Sequence, residues 1–264
     1  MNQTTESPFD SVLFEELISL MWEASDAILG VYHSGALDTK TKEDESPVTQ
    51  ADLAAHHILV KGLSQLTPNI PVVSEEDPSS LQIPEIHQRY WLIDPLDGTK
   101  EFINRNDEFT CNLALIDSNK TIYGFVSVPV LDLLYHGGDT HGAHRVNRVG
   151  SETWIQCQRQ TDTTRVIASK SHLNPETTAF IEAIKTRVEL IQAGSSLKFL
   201  RIAEGLADIY PRLAPTCEWD TAAAQAILEG AGGSVKQTDG SPVTYGKSEI
   251  LNPHFIASAR QVQL

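Results

Sequence analysis

Apolar residues recur at helical spacing from Phe9 to Tyr32, with Val12, Leu13, Leu17, Met21, Ala24, Ile28 and Val31 on the repeating face and Gly30 near the end. An amphipathic packing helix is predicted there. After a polar connector with Lys40, Lys42, Glu43, Asp44 and Glu45, the stretch Ser46-Pro47-Val48-Thr49-Gln50-Ala51-Asp52 opens a second helix, carried to about Leu66. Thr49 with Asp52 three residues later has the form of a capping box, which is by itself a structural reason for Asp52. His56 and His57 are adjacent and point in different directions on a helix, so both read as ordinary helix residues and not as an i, i+4 metal pair.

Two short apolar runs then end in acids. Ile70 to Val73 stops at Ser74-Glu75-Glu76-Asp77-Pro78, and Tyr90 to Ile93 stops at Asp94-Pro95-Leu96-Asp97-Gly98-Thr99. Each reads as a buried strand with carboxylates at its C-terminal end. Pro95 has no N–H for a ladder and is expected to stop the second strand. From Glu108 to Leu134 the pattern alternates, with Phe109, Cys111, Leu113 and Leu115 on one face, and it continues through Ile122 to Val130 and Leu131 to Tyr135. This predicts an antiparallel meander with turns at 117–120 and 130–132. The stretch His136 to Gly150 is rich in glycine and histidine without regular metal spacing and reads as a loop or hairpin rim.

A polar stretch, Gln158 to Thr164, precedes a second half in which strand and helix alternate. Strands are predicted at Arg165 to Ala168, Val188 to Gln192, Ala207 to Tyr210, around Val235, and at Phe255 to Ala257. Helices are predicted at Pro175 to about Lys185, Ser196 to Glu204 and Trp219 to Glu229. The fold class is therefore α/β, with an α+β N-terminal half (1–158) and an α/β C-terminal half (159–264).

Composition changes this picture little. The 264 residues, 41% of them hydrophobic, suffice for a sizeable core. No apolar run approaches the roughly 20 residues a spanning helix needs, and residues 1–10 do not resemble a signal peptide. A cytoplasmic location is expected, with peripheral attachment to the inner face of the cell membrane left open. Cys111, Cys157 and Cys217 form no C-x-x-C pair and are expected as free thiols. A formal charge of −15 argues against a nucleic-acid polymer as partner, although a local cationic pocket remains compatible with it.

The candidate chemistry lies in the acids and in two turns. Asp94, the Leu96 carbonyl and Asp97 are hard oxygen ligands that could converge on Mg²⁺ in one tight turn. An Asp-rich turn with Thr99 capping a helix is the plainer alternative. Two carboxylates about 4 Å apart repel by roughly 4 kcal/mol at an effective dielectric near 20, so acids gathered at neighbouring strand ends would need cations to stay ionised. Asp220, at the start of the last long helix, reads as favourable against the helix dipole. Gly194-Ser195-Ser196 before Leu197-Lys198-Phe199 offers free amides, hydroxyls and a lysine to an anion, or else an ordinary serine cap.

In this order, Val48-Thr49-x-x-Asp52, Ser74-Glu75-Glu76, Asp94 to Thr99 and Trp219-Asp220-Thr221-Ala222-Ala223 resemble the inositol-monophosphatase superfamily of Mg²⁺-dependent, Li⁺-sensitive phosphatases, from the first helix to the last strand. Lys100-Glu101-Phe102, Gly194 to Phe199, Ala203-Glu204-Gly205 and Tyr210-Pro211-Arg212 are similar to its CysQ-type 3′(2′),5′-bisphosphate nucleotidases. The resemblance implies a layered αβαβα sugar-phosphatase architecture and two or three Mg²⁺ ions. Glu75, Asp94 and the Leu96 carbonyl would hold one ion, and Asp94, Asp97 and Asp220 a second. Thr99, supported by Asp52, would orient the attacking water, with Glu76 acting nearby or through a further water. The Gly98 and Thr99 amides would grip the departing phosphate, while Ser195, Ser196 and Lys198 face the nucleotide. The implied reaction is hydrolysis of the 3′-phosphate of adenosine 3′,5′-bisphosphate to AMP, in sulfate assimilation, with 3′-phosphoadenylyl sulfate as a second substrate. An inositol-phosphate or other sugar phosphatase is the near alternative. A catalytically silent metal- or nucleotide-binding module is the distant one, against which Thr99 and Asp52 speak. The oligomeric state is left open.

Overall fold

The computed structural model describes residues 8–34, 40–41, 47–83, 88–158, 162–169 and 174–259. Most of the polar connector, 42–46, lies outside them. Helices α1 (Ser11–Ser34) and α2 (Gln50–Leu66) are where the periodicity puts them, separated by the short paired strands β1 (Lys40–Thr41) and β2 (Pro47–Val48). The Thr49 side chain accepts from the Ala51 amide, and Asp52 Oδ2 accepts from the Thr49 amide at 2.8 Å, so the predicted capping box is formed.

A seven-stranded sheet has the order β3 (Val72–Ser74), β4 (Arg89–Asp97), β5 (Thr110–Asp117), β6 (Lys120–Val128), β7 (Leu133–Gly138), β8 (Gly142–Asn147) and β9 (Glu152–Trp154). Only β3 and β4 pair in parallel; the rest is an antiparallel meander. Ser118 and Asn119, both at positive φ, make the first predicted turn, and Asp132, also at positive φ, closes the second. Two expectations are corrected. The His136 to Gly150 region is not a loop or a rim but a paired hairpin within the sheet: it supplies all of β8 and the end of β7, with His136 and His144 stacked in register across the ladder. Nor does Pro95 end its strand. β4 runs to Asp97 through a bulge, in which Asp94 faces Asn112 and Asp97 faces Thr110, so Pro95 sits where the ladder is already interrupted.

The sheet is buried on both faces, which is why β4 reads as a continuous apolar run. Trp91, Ile93, Cys111, Leu113 and Leu115 pack under α1 and α2. Tyr90, Leu92, Ala114 and Ile116 face the opposite way, into a core shared with the second half of the chain. After α3 (Thr99–Ile103), that half contains β10 (Thr163–Ala168), α4 (Pro175–Glu182), β11 (Arg187–Gln192), α5 (Leu197–Ala203), β12 (Ile209–Arg212), α6 (Ala222–Gly230), β13 (Gly233–Gln237) and β14 (Phe255–Ala259). Its five-stranded sheet has the order β11-β10-β12-β14-β13, with parallel pairs around β10 and antiparallel pairs at β14. Helices α5 and α6 lie between the two sheets, and α4 packs against β12, giving layers of helix and sheet in alternation.

The start of α6 approaches the first sheet closely enough to be decisive for the site. A Cβ on Gly124 of β6 would lie 2.1 Å from the Ala223 carbonyl oxygen, and Thr121 Oγ1 donates to the Ala222 carbonyl at 3.0 Å. Only glycine lets the two backbones meet there.

Candidate metal and phosphate site

The bulge in β4 turns the Asp94 carboxylate back onto its own strand, where Oδ1 accepts from the Leu96 amide at 3.0 Å and the residue is 1% exposed. Glu75 arrives from the adjacent parallel strand; its amide donates to the Ile93 carbonyl at 3.2 Å. Asp220 comes from the segment before α6, where Oδ2 accepts from the Cys217 amide at 2.8 Å. Carboxylate oxygens of Glu75, Asp94 and Asp220 lie within 4.8 Å of one another. Burial, first, and then the charges of Glu75, Asp97 and Asp220 hold the Asp94 carboxyl well above the ordinary range. Burial and the charges of Asp97 and Glu75 do the same to Asp220. Such a cluster costs free energy as long as nothing positive neutralises it, and hard oxygens this close suit a divalent cation.

Asp97 stands outside that triad. Its Oδ2 accepts from the Ser196 amide at 2.6 Å, and Thr110 Oγ1 and Asn112 Nδ2 lie 3.4 and 3.5 Å away. Its carboxyl rises to about 6, mainly through burial, while Lys198 pulls it down. Gly98 adopts φ 92°, the left-handed conformation expected of it, and caps α3 so that Thr99 opens the helix. Thr99 Oγ1 reaches Asp52 Oδ1 at 3.2 Å and the Leu96 carbonyl at 3.3 Å. Asp52 therefore serves the capping box with one oxygen and Thr99 with the other. Burial raises its carboxyl against the lowering effect of the Thr49 hydrogen bonds. Glu76 follows Glu75 with its amide donating to Ser74 Oγ at 3.2 Å. His56, read as an ordinary helix residue, holds the same serine oxygen at 2.8 Å.

A cleft of about 120 Å³ opens beside these acids, lined among others by Asp97, Gly98, Asp220, Ser195, Lys198 and Arg212. Two of the Gly194 to Ser196 amides are already occupied, where the sequence suggested that all were open to an anion. Gly194 N donates to Glu108 Oε2 at 3.0 Å and Ser196 N to Asp97, while Ser196 Oγ is held by Asn112 and Thr110. Ser196 thus ties the second half to the β4 bulge, and Ser195 and Lys198 face the cleft. The Lys198 ammonium donates to the Ser195 carbonyl at 2.6 Å, and burial lowers it to about 8 despite the nearby Asp97 charge. Ser195 Oγ and Arg212 Nε are buried without a hydrogen-bond partner among the described residues. Arg212, Thr110 and Asn112 were missed as site residues. Tyr210 and Arg212 are two apart on β12 and so share a face, and Asn112 is a polar residue inside an apolar alternation.

An acid triad that suits a dication, next to a cleft with an ammonium and a guanidinium, defines a site for a phosphorylated small molecule. The chain belongs to the inositol monophosphatase family, whose model matches residues 10–263. It is 43% identical over 245 residues to the 3′(2′),5′-bisphosphate nucleotidase CysQ of Salmonella typhimurium, covering 92% of this chain and 98% of the relative. It is also 43% identical over 248 residues to CysQ of Escherichia coli K12, covering 93% and 99%. The crystal structure of CysQ from Bacteroides thetaiotaomicron, a bacterial member of the same family, superposes with a TM-score of 0.85 at 38% identity, covering 97% of this chain and 99% of that one.

Proposed function

We propose that the chain is a Mg²⁺-dependent 3′(2′),5′-bisphosphate nucleotidase that removes the 3′-phosphate of adenosine 3′,5′-bisphosphate. The observation that carries this is a cleft lined by both kinds of charge. Asp97 and Asp220, beside acids that suit a cation, share it with Lys198 and with Arg212, whose Nε has no partner among the described residues, so a ligand with two phosphates can meet cations and basic side chains together. The names of the relatives point the same way.

Glu75, Asp94, the Leu96 carbonyl, Asp97 and Asp220 would hold the Mg²⁺ ions, two or three in number. Bound there, Mg²⁺ supplies Lewis acidity toward the phosphoryl oxygens and a more acidic water. The chain's own residues do the rest. Thr99 has one hydroxyl proton and two acceptors; with the Leu96 carbonyl turned to a cation, Asp52 is the acceptor that remains. The proton then points at Asp52, and the Thr99 lone pairs face the cleft to accept from the attacking water and aim it. Glu76 supports that water from the β3 side. The amides of Gly98 and Thr99 donate to the phosphate that leaves. Ser195, Lys198 and Arg212 take the second phosphate, and Ser196 acts through Asp97. In this reading residues 1–158 carry most of the metal ligands, while residues 159–264 supply Asp220 and the substrate contacts. The expected location is the cytoplasm; no helix of the described residues is long and apolar enough to cross a membrane.

The test is Mg²⁺-dependent phosphate release from adenosine 3′,5′-bisphosphate and from inositol 1-phosphate, each with and without Li⁺. Faster, Li⁺-sensitive release from the nucleotide is expected. The reverse ranking would assign the chain to the sugar phosphatases instead.

A further inference from the structure

We infer that the buried Glu218, clamped by Lys247, is a positioning residue that holds Asp220 in the carboxylate cluster, so that metal affinity depends on a loop outside the site. This rests on Asp220 being a metal ligand, as proposed above.

The carboxylate oxygens of Glu75 and Asp94 lie within 4.8 Å of that of Asp220, so like-charge repulsion works against the placement of Asp220. Something other than the cluster must therefore hold its backbone. The segment that carries it, between β12 and α6, belongs to neither sheet. It is held by the chain after α6. Glu218 N donates to the Ile250 carbonyl at 3.0 Å, and Asn252 N donates to the Thr216 carbonyl at 2.8 Å. Asn252 Nδ2 donates to the Cys217 carbonyl at 2.7 Å and to Thr221 Oγ1 at 3.0 Å.

Glu218 adds a charge to this brace. It is 1% exposed, yet its carboxylate accepts from the Gly246 amide at 2.7 Å, from the Lys247 amide at 3.1 Å and from the Lys247 ammonium. That ammonium also donates to the Thr244 carbonyl at 2.9 Å. A buried carboxylate is tolerated only where donors converge on it, so residues 244–247 are drawn to the place where Glu218 sits. The Glu218 carbonyl in turn accepts from the Thr221 and Ala222 amides at 3.2 and 3.1 Å, which sets the turn containing Asp220. Neither Glu218 nor Lys247 lines the cleft beside the acids. Their effect would pass through the backbone to one ligand.

The experiment titrates Mg²⁺ alone, without substrate, into the full chain and follows the thermal shift. Wild type is compared with Glu218→Gln, Lys247→Met and Lys247→Arg. The Mg²⁺ dissociation constant, fitted from how the melting temperature rises with Mg²⁺ concentration, should increase about tenfold or more in Glu218→Gln, the scale on which groups that orient metal ligands act. Lys247, whose side chain is 26% exposed, tolerates Met, and that variant should show a rise of about threefold or more. Lys247→Arg should return it to near the wild-type value. Turnover at saturating Mg²⁺ should be largely recovered in all three variants. A merely structural role would lower the metal-free melting temperature and leave the fitted dissociation constant in place. Values within about twofold of wild type in Glu218→Gln and Lys247→Met would overturn the inference. Should Glu218→Gln not fold, Lys247→Met decides alone. A wild-type chain that shows no Mg²⁺ shift would instead overturn the metal reading itself.

Discussion

Replacing Asp94 by Asn should make the metal-free protein more stable and the enzyme inactive. At the 4.8 Å limit of the Glu75, Asp94 and Asp220 cluster, each ionised pair repels by about 3.5 kcal/mol at an effective dielectric of 20. Proton uptake caps that cost. The Asp94 carboxyl is raised in the folded state, so its contribution to stability is fully present below its unfolded value near 4 and is lost as pH rises. At about 1.4 kcal/mol per pH unit, the loss by pH 7 cannot exceed about 4 kcal/mol. Asn keeps the acceptor for the Leu96 amide and removes only the charge. For a chain of 264 residues the unfolding entropy is about 0.55 kcal/mol/K, so metal-free Asp94→Asn should melt higher than wild type at pH 7, by no more than about 7 °C, and level with it near pH 4. With Mg²⁺ at a hundred times its dissociation constant, wild type should gain about 2.7 kcal/mol, or roughly 5 °C, and the variant nothing. Differential scanning calorimetry in chelator and in Mg²⁺, at both pH values, reads all four numbers. Phosphate release should drop more than about a hundredfold, beyond what loss of a supporting group costs. A variant that kept its Mg²⁺ shift and turnover would refute the role of Asp94 in metal binding. One that was no more stable than wild type in chelator would refute the repulsion argument.

Thr99→Ala should lower kcat by about a hundredfold or more while leaving the Mg²⁺ shift unchanged, because in the proposed mechanism its hydroxyl, held by Asp52, aims the attacking water and bonds no metal-ligand carboxylate; a parallel loss of metal affinity would contradict that division. Arg212→Met should raise KM for adenosine 3′,5′-bisphosphate by about tenfold or more and leave KM for 3′-AMP nearly unaltered, and equal effects on both would remove the second-phosphate contact. Gly124→Ala should cost about 1–3 kcal/mol in a denaturant titration and reduce turnover as well, since the added carbon meets the Ala223 carbonyl and displaces the start of α6. Burial lifts the Glu229 carboxyl to about 7, so the stability it contributes below pH 4.5 is lost as pH rises toward 7. Glu229→Gln should therefore melt higher than wild type at pH 8 and level with it at pH 4; a pH-independent difference would show that the carboxyl is not what titrates.

The chain alone determined the helices and strands whose period is strong: α1, α2, the meander, and the alternation after β9. It also marked acids at two strand ends, Glu75 after one and Asp94 and Asp97 after the other, whereas Asp220 reads locally as a helix-dipole residue and joins them only through the family resemblance. Local rules failed where a tertiary contact outweighed them. Pro95 reads as a stop, yet a bulge lets β4 continue to Asp97, because pairing with Asn112 and Thr110 decides the register. The histidines after Leu134 read as a rim, yet they pair as strands. The Gly194 to Ser196 amides read as open to an anion, yet Glu108 and Asp97 already occupy two of them. Spacing cannot say whether three carboxylates from positions 75, 94 and 220 converge, since their meeting depends on α6 seating against Gly124 between two sheets. Local sequence sets backbone preference and burial over a few residues, whereas a charge cluster is unfavourable on its own. Only the packing of the whole core can hold it together.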